Sequence, residues 1–300
     1  MIQDPIIHIT KESLLTPAVH SWEIFLQDQG KSPHTIKAFQ GDLRLFTEFF
    51  SPDKTVGAVS TADINQFLSW LEKEREVPCS PKSLARRVTS IKSFFRWLFL
   101  NGRIPSDPAE KVLQKTVISP LPEILTDDEN IKVKIIADSY RSFKKPDSRP
   151  AALFGFLLET GIKKGECLTL NMNHIEFENP SQPYVFVRYG NPSNRYKERK
   201  IDLTGEWISV FKEYRDQYHP NELVFPWSPR RLEYLLEDLG REAGLTKHLS
   251  FDMCRWTSAL VDWKNGVESD KIRQKLGVSK IQWREISMKL RQLAEKKDPD

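Results

Sequence analysis

The sequence implies a mainly α-helical chain in two domains, with one small antiparallel β-sheet in the second half. Three observations lead there. Three hundred residues are more than a single hydrophobic core usually serves. Apolar residues recur every three or four positions over most of the chain, in runs opened by Ser-Pro or Ser/Thr caps. Strand-like alternation is confined to two short runs, Tyr184 to Tyr189 and Arg199 to Leu203, on either side of the turn sequence GNPSN.

Composition narrows the classes further. A hydrophobic content of 39% with 29% charged residues suits an ordered, water-soluble chain. The longest apolar stretch, Ala151 to Leu158, is far too short to cross a bilayer, so no membrane role is expected. The opening residues, MIQDPIIHIT, lack the basic start of a secretory signal. Cys79, Cys167 and Cys254 are scattered and form no CxxC, which argues against a disulfide framework or zinc site and for a reducing cytoplasm. The net charge of +4 decides little by its size; its placement matters more.

The first helix begins near Pro17, with Ala18, Trp22, Phe25 and Leu26 at helical spacing and Gly30 as its stop. Ser32-Pro33 starts the second, which buries Ile36, Phe39, Leu43, Phe46 and Phe50. The third runs from Thr61, with Ile64, Phe67, Leu68 and Leu71 as its stripe. The fourth starts at Ser80-Pro81 and carries the main functional signal of this half. No Asp or Glu occurs from Val77 to Ser106. Leu84, Val88, Ile91, Phe95 and Leu98 form a buried seam, while Lys82, Arg86, Thr89, Ser93 and Arg96 line another face. Arg87 and Lys92 add to that charge. Lysine and arginine interleaved with small hydroxyl residues suit close approach to a phosphate backbone, so this helix is expected to contact duplex DNA.

Residues 1–112 are therefore read as a DNA-binding helical domain, 113–122 as a linker with two prolines, and 123–300 as the second domain. In the latter, Thr126 followed by Glu129 marks a helix start, and PAALFGFLLETGIKKGECLTL reads as one apolar helix. The two strands follow. Ser228-Pro229 opens a further helix whose Arg230 and Arg231 sit beside free backbone N–H groups, a ready anion site. Trp97, Phe94, Phe95, Trp256 and Trp263 are at apolar helical positions and are read as core. The last segment, MKLRQLAEKKDPD, is amphipathic, with Met288, Leu290 and Leu293 apolar.

Several of these segments together resemble the tyrosine recombinases of the phage-integrase and Xer type. SPHTIKAFQGDLRLFTEFF, SPKSLARRVTSIKSFFRWLFLNGRI and DPAEKV are similar to that family's SAM-like core-binding domain. In the second half, TGIKKGE (160–166) stands where the family writes TGLRxSE. KERKIDL (197–203) resembles KERxVPL, LSFDMCRW (249–256) falls where PHxLRH belongs, and IRQKLGVSK (272–280) resembles IQxLLGHSS. The resemblance runs in order from about Pro17 to Leu290. It implies a SAM-like helical domain followed by a catalytic-type α+β domain.

In that family a tyrosine attacks a DNA phosphodiester. Two arginines and histidines stabilise the developing charge, a hairpin lysine protonates the leaving oxygen, and no metal or other cofactor takes part. Carried over residue by residue, most of this is missing. The first arginine is Lys163, which keeps charge but not the bidentate fork. The hairpin lysine falls on Asn194, or near Arg188 if the hairpin is longer. The first histidine becomes Asp252, a carboxylate that would repel phosphate. Arg255 is kept. The next histidine or tryptophan becomes Val278, and Ser287 stands where the tyrosine belongs. None of the seven tyrosines follows Tyr234, so no shift of register supplies one. Cys254 is expected to be a small buried residue and His248 a surface loop residue.

The resemblance thus implies a DNA-binding protein of this fold that clamps duplex DNA in an architectural, regulatory or accessory role in recombination or integration, without strand-exchange chemistry of its own. Its basic rim would comprise Lys163, Lys164, Arg188, Arg195, Lys197, Arg199 and Lys200, with Arg230, Arg231 and Arg255. It would act in the cytoplasm, on the nucleoid. In the family the corresponding C-terminal tail docks on a neighbouring protomer, which implies assembly with itself or with active relatives; packing of this helix on its own domain fits the sequence equally. Two rival readings are an active recombinase with a rebuilt site using Ser287 or another nucleophile, and a protein-interaction scaffold without DNA binding.

Overall fold

The computed structural model describes residues 5–114, 119–179 and 182–296. The chain divides into two compact units, Met1–Pro120 and Leu121–Asp300. Residues 115–118, inside the expected linker, lie outside the described residues.

The first unit holds α1 (Leu15–Asp28), α2 (Pro33–Phe49), α3 (Thr61–Lys73) and α4 (Pro81–Leu100). Its helix starts have local causes. Ser32 and Ser80 accept from the N–H groups of Thr35 and Ser83, with proline at the first helical position, and Ser60 forms a reciprocal capping box with Asp63. The core is aromatic: Phe46, Phe67, Phe94 and Phe95 are solvent-free, and the Phe46 and Phe67 rings meet edge to face at 5.1 Å. Burying each such ring is worth roughly 2–3 kcal/mol. The α4 seam is buried from Val88 onward, whereas Leu84 is half-buried.

A buried carboxylate interrupts this core. Asp42 of α2 is 2% exposed and faces α4, where Arg86 Nη1 donates to Oδ2 at 2.6 Å and the Ser90 hydroxyl to the same oxygen at 2.7 Å. Arg87 Nε lies 3.4 Å from Oδ1 and its Nη1 is 2.8 Å from Cys79 Sγ. Two α4 arginines are thereby tied to one buried carboxylate. Removing a partner from such a cluster leaves an uncompensated charge, so Asp42→Ala is expected to destabilise the protein by about 3 kcal/mol. A lowered urea midpoint would register this; an unchanged midpoint would show that the cluster contributes nothing.

The second unit holds α5 (Asp127–Ser139), α6 (Arg149–Thr160), α7 (Lys164–Leu168), a three-stranded sheet and five more helices. Thr126 and Glu129 close the expected capping box. The long apolar run read as one helix is two. It breaks at Gly161, whose left-handed backbone (φ 55°) caps α6 and turns the chain into α7.

The sheet is antiparallel, in the order β1 (Ile175–Glu176), β2 (Tyr184–Val187), β3 (Arg199–Asp202). Register pairs Val185 with Ile201 and Val187 with Arg199. β2 stops at Val187, so Arg188 and Tyr189 are not strand residues, and Leu203 lies past the end of β3. The GNPSN turn continues into a 3₁₀ helix, Pro192–Lys197.

After α8 (Gly205–Tyr218), which the sequence reading did not foresee, come α9 (Pro229–Glu242), α10 (Phe251–Lys264), α11 (Ser269–Lys275) and α12 (Lys280–Glu295). α8 packs its Trp207 against α6, donating from Nε1 to Ala152 O at 2.9 Å. α12 packs on α10 of its own unit through Leu290 and Leu293. Met288, read as apolar face, is 59% exposed, and Trp256 and Trp263, read as core, are only partly buried at the edge of this cluster. Among the described residues no helix is long and apolar enough to cross a membrane.

Candidate nucleic-acid interface and active-site pocket

The pocket is built where α6, α7, β3, α10 and the α11–α12 turn converge in the second unit. Three cations from three elements end on three consecutive backbone carbonyls of that turn. Arg199 Nε of β3 donates to Lys275 O at 2.6 Å, Arg255 Nη2 of α10 to Leu276 O at 2.7 Å, and Lys163 Nζ, before α7, to Gly277 O at 3.0 Å. The last carbonyls of a helix are unsatisfied and carry its negative end, so cations belong there. The approach requires glycine at 277: φ is +56°, and a Cβ would lie 2.5 Å from Arg199 Nη1. Arg255 Nη1 also donates to Gly161 O, which holds the α6 cap.

Glu166 of α7 balances this charge. It is nearly buried and takes both arms of Arg199, at 3.1 and 2.8 Å, together with the Tyr189 hydroxyl. Burial pushes its carboxyl up, but the Arg199 guanidinium and the Tyr189 hydroxyl more than reverse this and hold it at about 2. Burial lowers Lys163 to about 8 and Arg255 to about 10.

Beside these residues lies a cavity of about 460 Å³ lined by Lys163, Lys164, Glu233, His248, Asp252 and Arg255. The capped N-terminus of α10, at Ser250, opens into it. Lys164 pairs with Glu233 of α9, and exposed His248 lies 3.7 Å from Glu237. Asp252 is exposed on the rim.

Val278 is 7% exposed, in the apolar cluster under α12. The Ser287 hydroxyl, on α12, donates to Arg284 O at 3.2 Å. Asn194 Oδ1 accepts from Lys197 Nζ at 2.8 Å, and Arg188 lies over the Phe186 ring. Cys254 is fully buried, its thiol pushed up to about 12 by burial, and so is inert.

The expected phosphate contacts divide into outward and inward groups. Lys82 and Arg96 are exposed on α4, and Arg230 and Arg231 on the first turn of α9, where Arg230 Nε meets the Tyr234 hydroxyl at 2.7 Å. Lys197 is half-buried, over the rings of Tyr189 and Tyr196. Lys92 Nζ donates to Glu110 O at 3.2 Å, and Gln114 Nε2 to the Thr89 hydroxyl at 2.9 Å, so the exit segment lies across part of the stripe. Arg87 and Arg199 are corrections to the expected list. Arg87 is turned in to Asp42 and Arg199 to Glu166 and Lys275, leaving neither guanidinium free for phosphate, and Arg86 is partly committed to Asp42.

The phage integrase N-terminal SAM-like domain matches residues 19–102, and the phage integrase family matches residues 127–287. The chain belongs to the phage integrase family of tyrosine recombinases. Among its relatives are the tyrosine recombinase XerD of Listeria innocua, 23% identical over 273 residues and covering 86% of this chain and 89% of that protein. A tyrosine recombinase of Thermosipho africanus is 27% identical over 196 residues, 65% of each chain. The fold is also that of a lambda integrase dimer bound to a COC′ core site (TM-score 0.72, 15% identity, 96% of this chain and 80% of that one). XerH site-specific recombinase bound to palindromic difH substrate has the same fold (TM-score 0.72, 17% identity, 92% and 83%).

Sequence reading had not singled out Asp42, Tyr189 or Gly277 for these roles; only Glu166, inside the family's TGLRxSE pattern, carried a local signal. Because Glu166 sits far below the ordinary carboxylate value of 4.5, its stabilising effect is present above that value and is lost as pH falls from about 4.5 toward 2. Glu166→Gln is expected to cost about 3 kcal/mol at pH 7 and much less at pH 3, read as urea midpoints at the two pH values. An equal loss at both would show that the Arg199 pair is not the cause.

Proposed function

We propose that this integrase-family protein binds duplex DNA without cutting it, in an architectural, regulatory or accessory role beside active recombinases in the cytoplasm. The absence of any tyrosine after Tyr234 carries the reading. The surroundings of Ser287 support it. A serine needs a base and a full charge clamp to attack phosphate, whereas Asp252 and Val278 stand where donors would be needed, and Arg255 already ends on the carbonyls of Gly161 and Leu276. DNA binding is supported by the exposed α4 stripe, by the cationic pocket at the α10 N-terminus, and by the DNA-bound state of the lambda integrase and XerH structures of this fold. A second reading, an active recombinase using Ser287, is favoured by the relatives' names, which are those of tyrosine recombinases.

A nicked suicide duplex separates the two. We expect no covalent protein–DNA band; a band that disappears in Ser287→Ala would establish the second reading. Binding itself is tested by a salt series. Lys82→Ala combined with Arg96→Ala is expected to make log K against log salt shallower by about 2, one phosphate per side chain. No binding to any duplex at low salt would leave a protein-interaction scaffold.

A further inference from the structure

Lys163 stands where the resembling family carries arginine, and its surroundings make that exchange more than a change of shape. The side chain is 36% exposed, on the wall of the 460 Å³ cavity, so a phosphate there can reach it. Two cations from other elements end on the carbonyls just before the one it takes, Arg199 of β3 on Lys275 O and Arg255 of α10 on Leu276 O, and Lys197 just before β3 adds further positive charge. The neighbouring Lys164 is paired with Glu233 of α9. Glu166 of its own helix lies 3.8 Å from Nζ, but both of its oxygens are engaged by Arg199, and one also by Tyr189. Asp252 of α10 sits on the rim, and His248 of the loop before α10 faces Glu237. The amine donates to Gly277 O at 3.0 Å, a carbonyl just past the end of α11 that carries only a partial negative charge. An ammonium so placed is short of counter-charge and partly stripped of water, two conditions that favour loss of its proton.

We propose that Lys163 is a proton-gated phosphate ligand: the pocket holds a DNA phosphate while Nζ is an ammonium and releases it when Nζ gives its proton to water. The proposal rests on the DNA-binding reading and adds a control that arginine at this position could not supply, since a guanidinium stays charged throughout. Burial lowers Lys163 to about 8, opposed by Glu166 and reinforced by Arg255, Arg199 and Lys197. The sign follows. The cationic form prevails below that value, so phosphate affinity is full near neutrality and falls as pH rises through about 8. Bound phosphate in turn favours the proton and moves the midpoint upward.

Two measurements on the full chain test this separately from the DNA-binding reading. The first follows the lysine ε-carbons by NMR, with the Lys163 signal assigned by its absence in Lys163→Arg. A midpoint near pH 8 is expected, and one above 10 would overturn the gate whether or not DNA binds. The second is fluorescence anisotropy of a short labelled duplex at fixed ionic strength. Between pH 7 and 9 the wild-type affinity is expected to fall by up to about tenfold, while Lys163→Arg stays nearly flat; parallel decline in both proteins would overturn the proposal. If no duplex binds at pH 7, the DNA-binding reading fails, and inorganic phosphate then tests the gate alone. An upward move of the Lys163 midpoint on adding phosphate supports it, and no movement overturns it.

Discussion

Three cations meeting three consecutive carbonyls is the constraint on which the second unit's functional end depends. Lys275, Leu276 and Gly277 close α11 and launch α12, and Arg199, Arg255 and Lys163 fasten that turn to β3, α10 and the start of α7. Without these donors the helix end would bury unsatisfied carbonyls, each worth a kcal/mol or more when unpaired. Glu166 is the counterweight that lets the cations sit this close, and Gly277 is the residue small enough to pass beneath Arg199. α12, and with it Ser287, is aimed by this junction.

The same contacts bear on why the pocket is basic at all. Arg255 and Arg199 hold structure whether or not phosphate is present, so their retention does not by itself report catalysis. The positions that carry no such structural load hold residues unlike the family's pattern: Ser287 on α12, Val278 and Asp252. The outward charges have no such structural duty. Lys82, Arg96 and Arg231 are exposed, and their charge is available to a polyanion.

The elements most legible in the sequence were those whose signals are local. Ser32-Pro33, Ser80-Pro81, Thr126 with Glu129, and Ser228-Pro229 each start a helix, because a cap needs only its own next three residues. What stayed hidden depends on residues far apart in the chain. A buried carboxylate at Asp42 has no local signature; it exists because α2 lies against α4, over forty residues on. The inward turn of Arg87 follows from that pairing, and that of Arg199 from Glu166. The break at Gly161 was missed because the apolar run continues past it, and Met288 faces outward because the face of α12 that packs on α10 is set by Leu290 and Leu293.

The central claim is the proposal that Arg199 and Arg255 serve the fold while the constellation that would cut DNA is incomplete, so that restoring a nucleophile alone does not restore chemistry. Its most direct test is Ser287→Tyr incubated with a nicked duplex and examined for a covalent protein–DNA band. The account predicts none, because Asp252 and Val278 would still stand where the family's donors belong and Arg255 would still end on carbonyls. A band from that single substitution would show that a working charge clamp survives and would contradict the account.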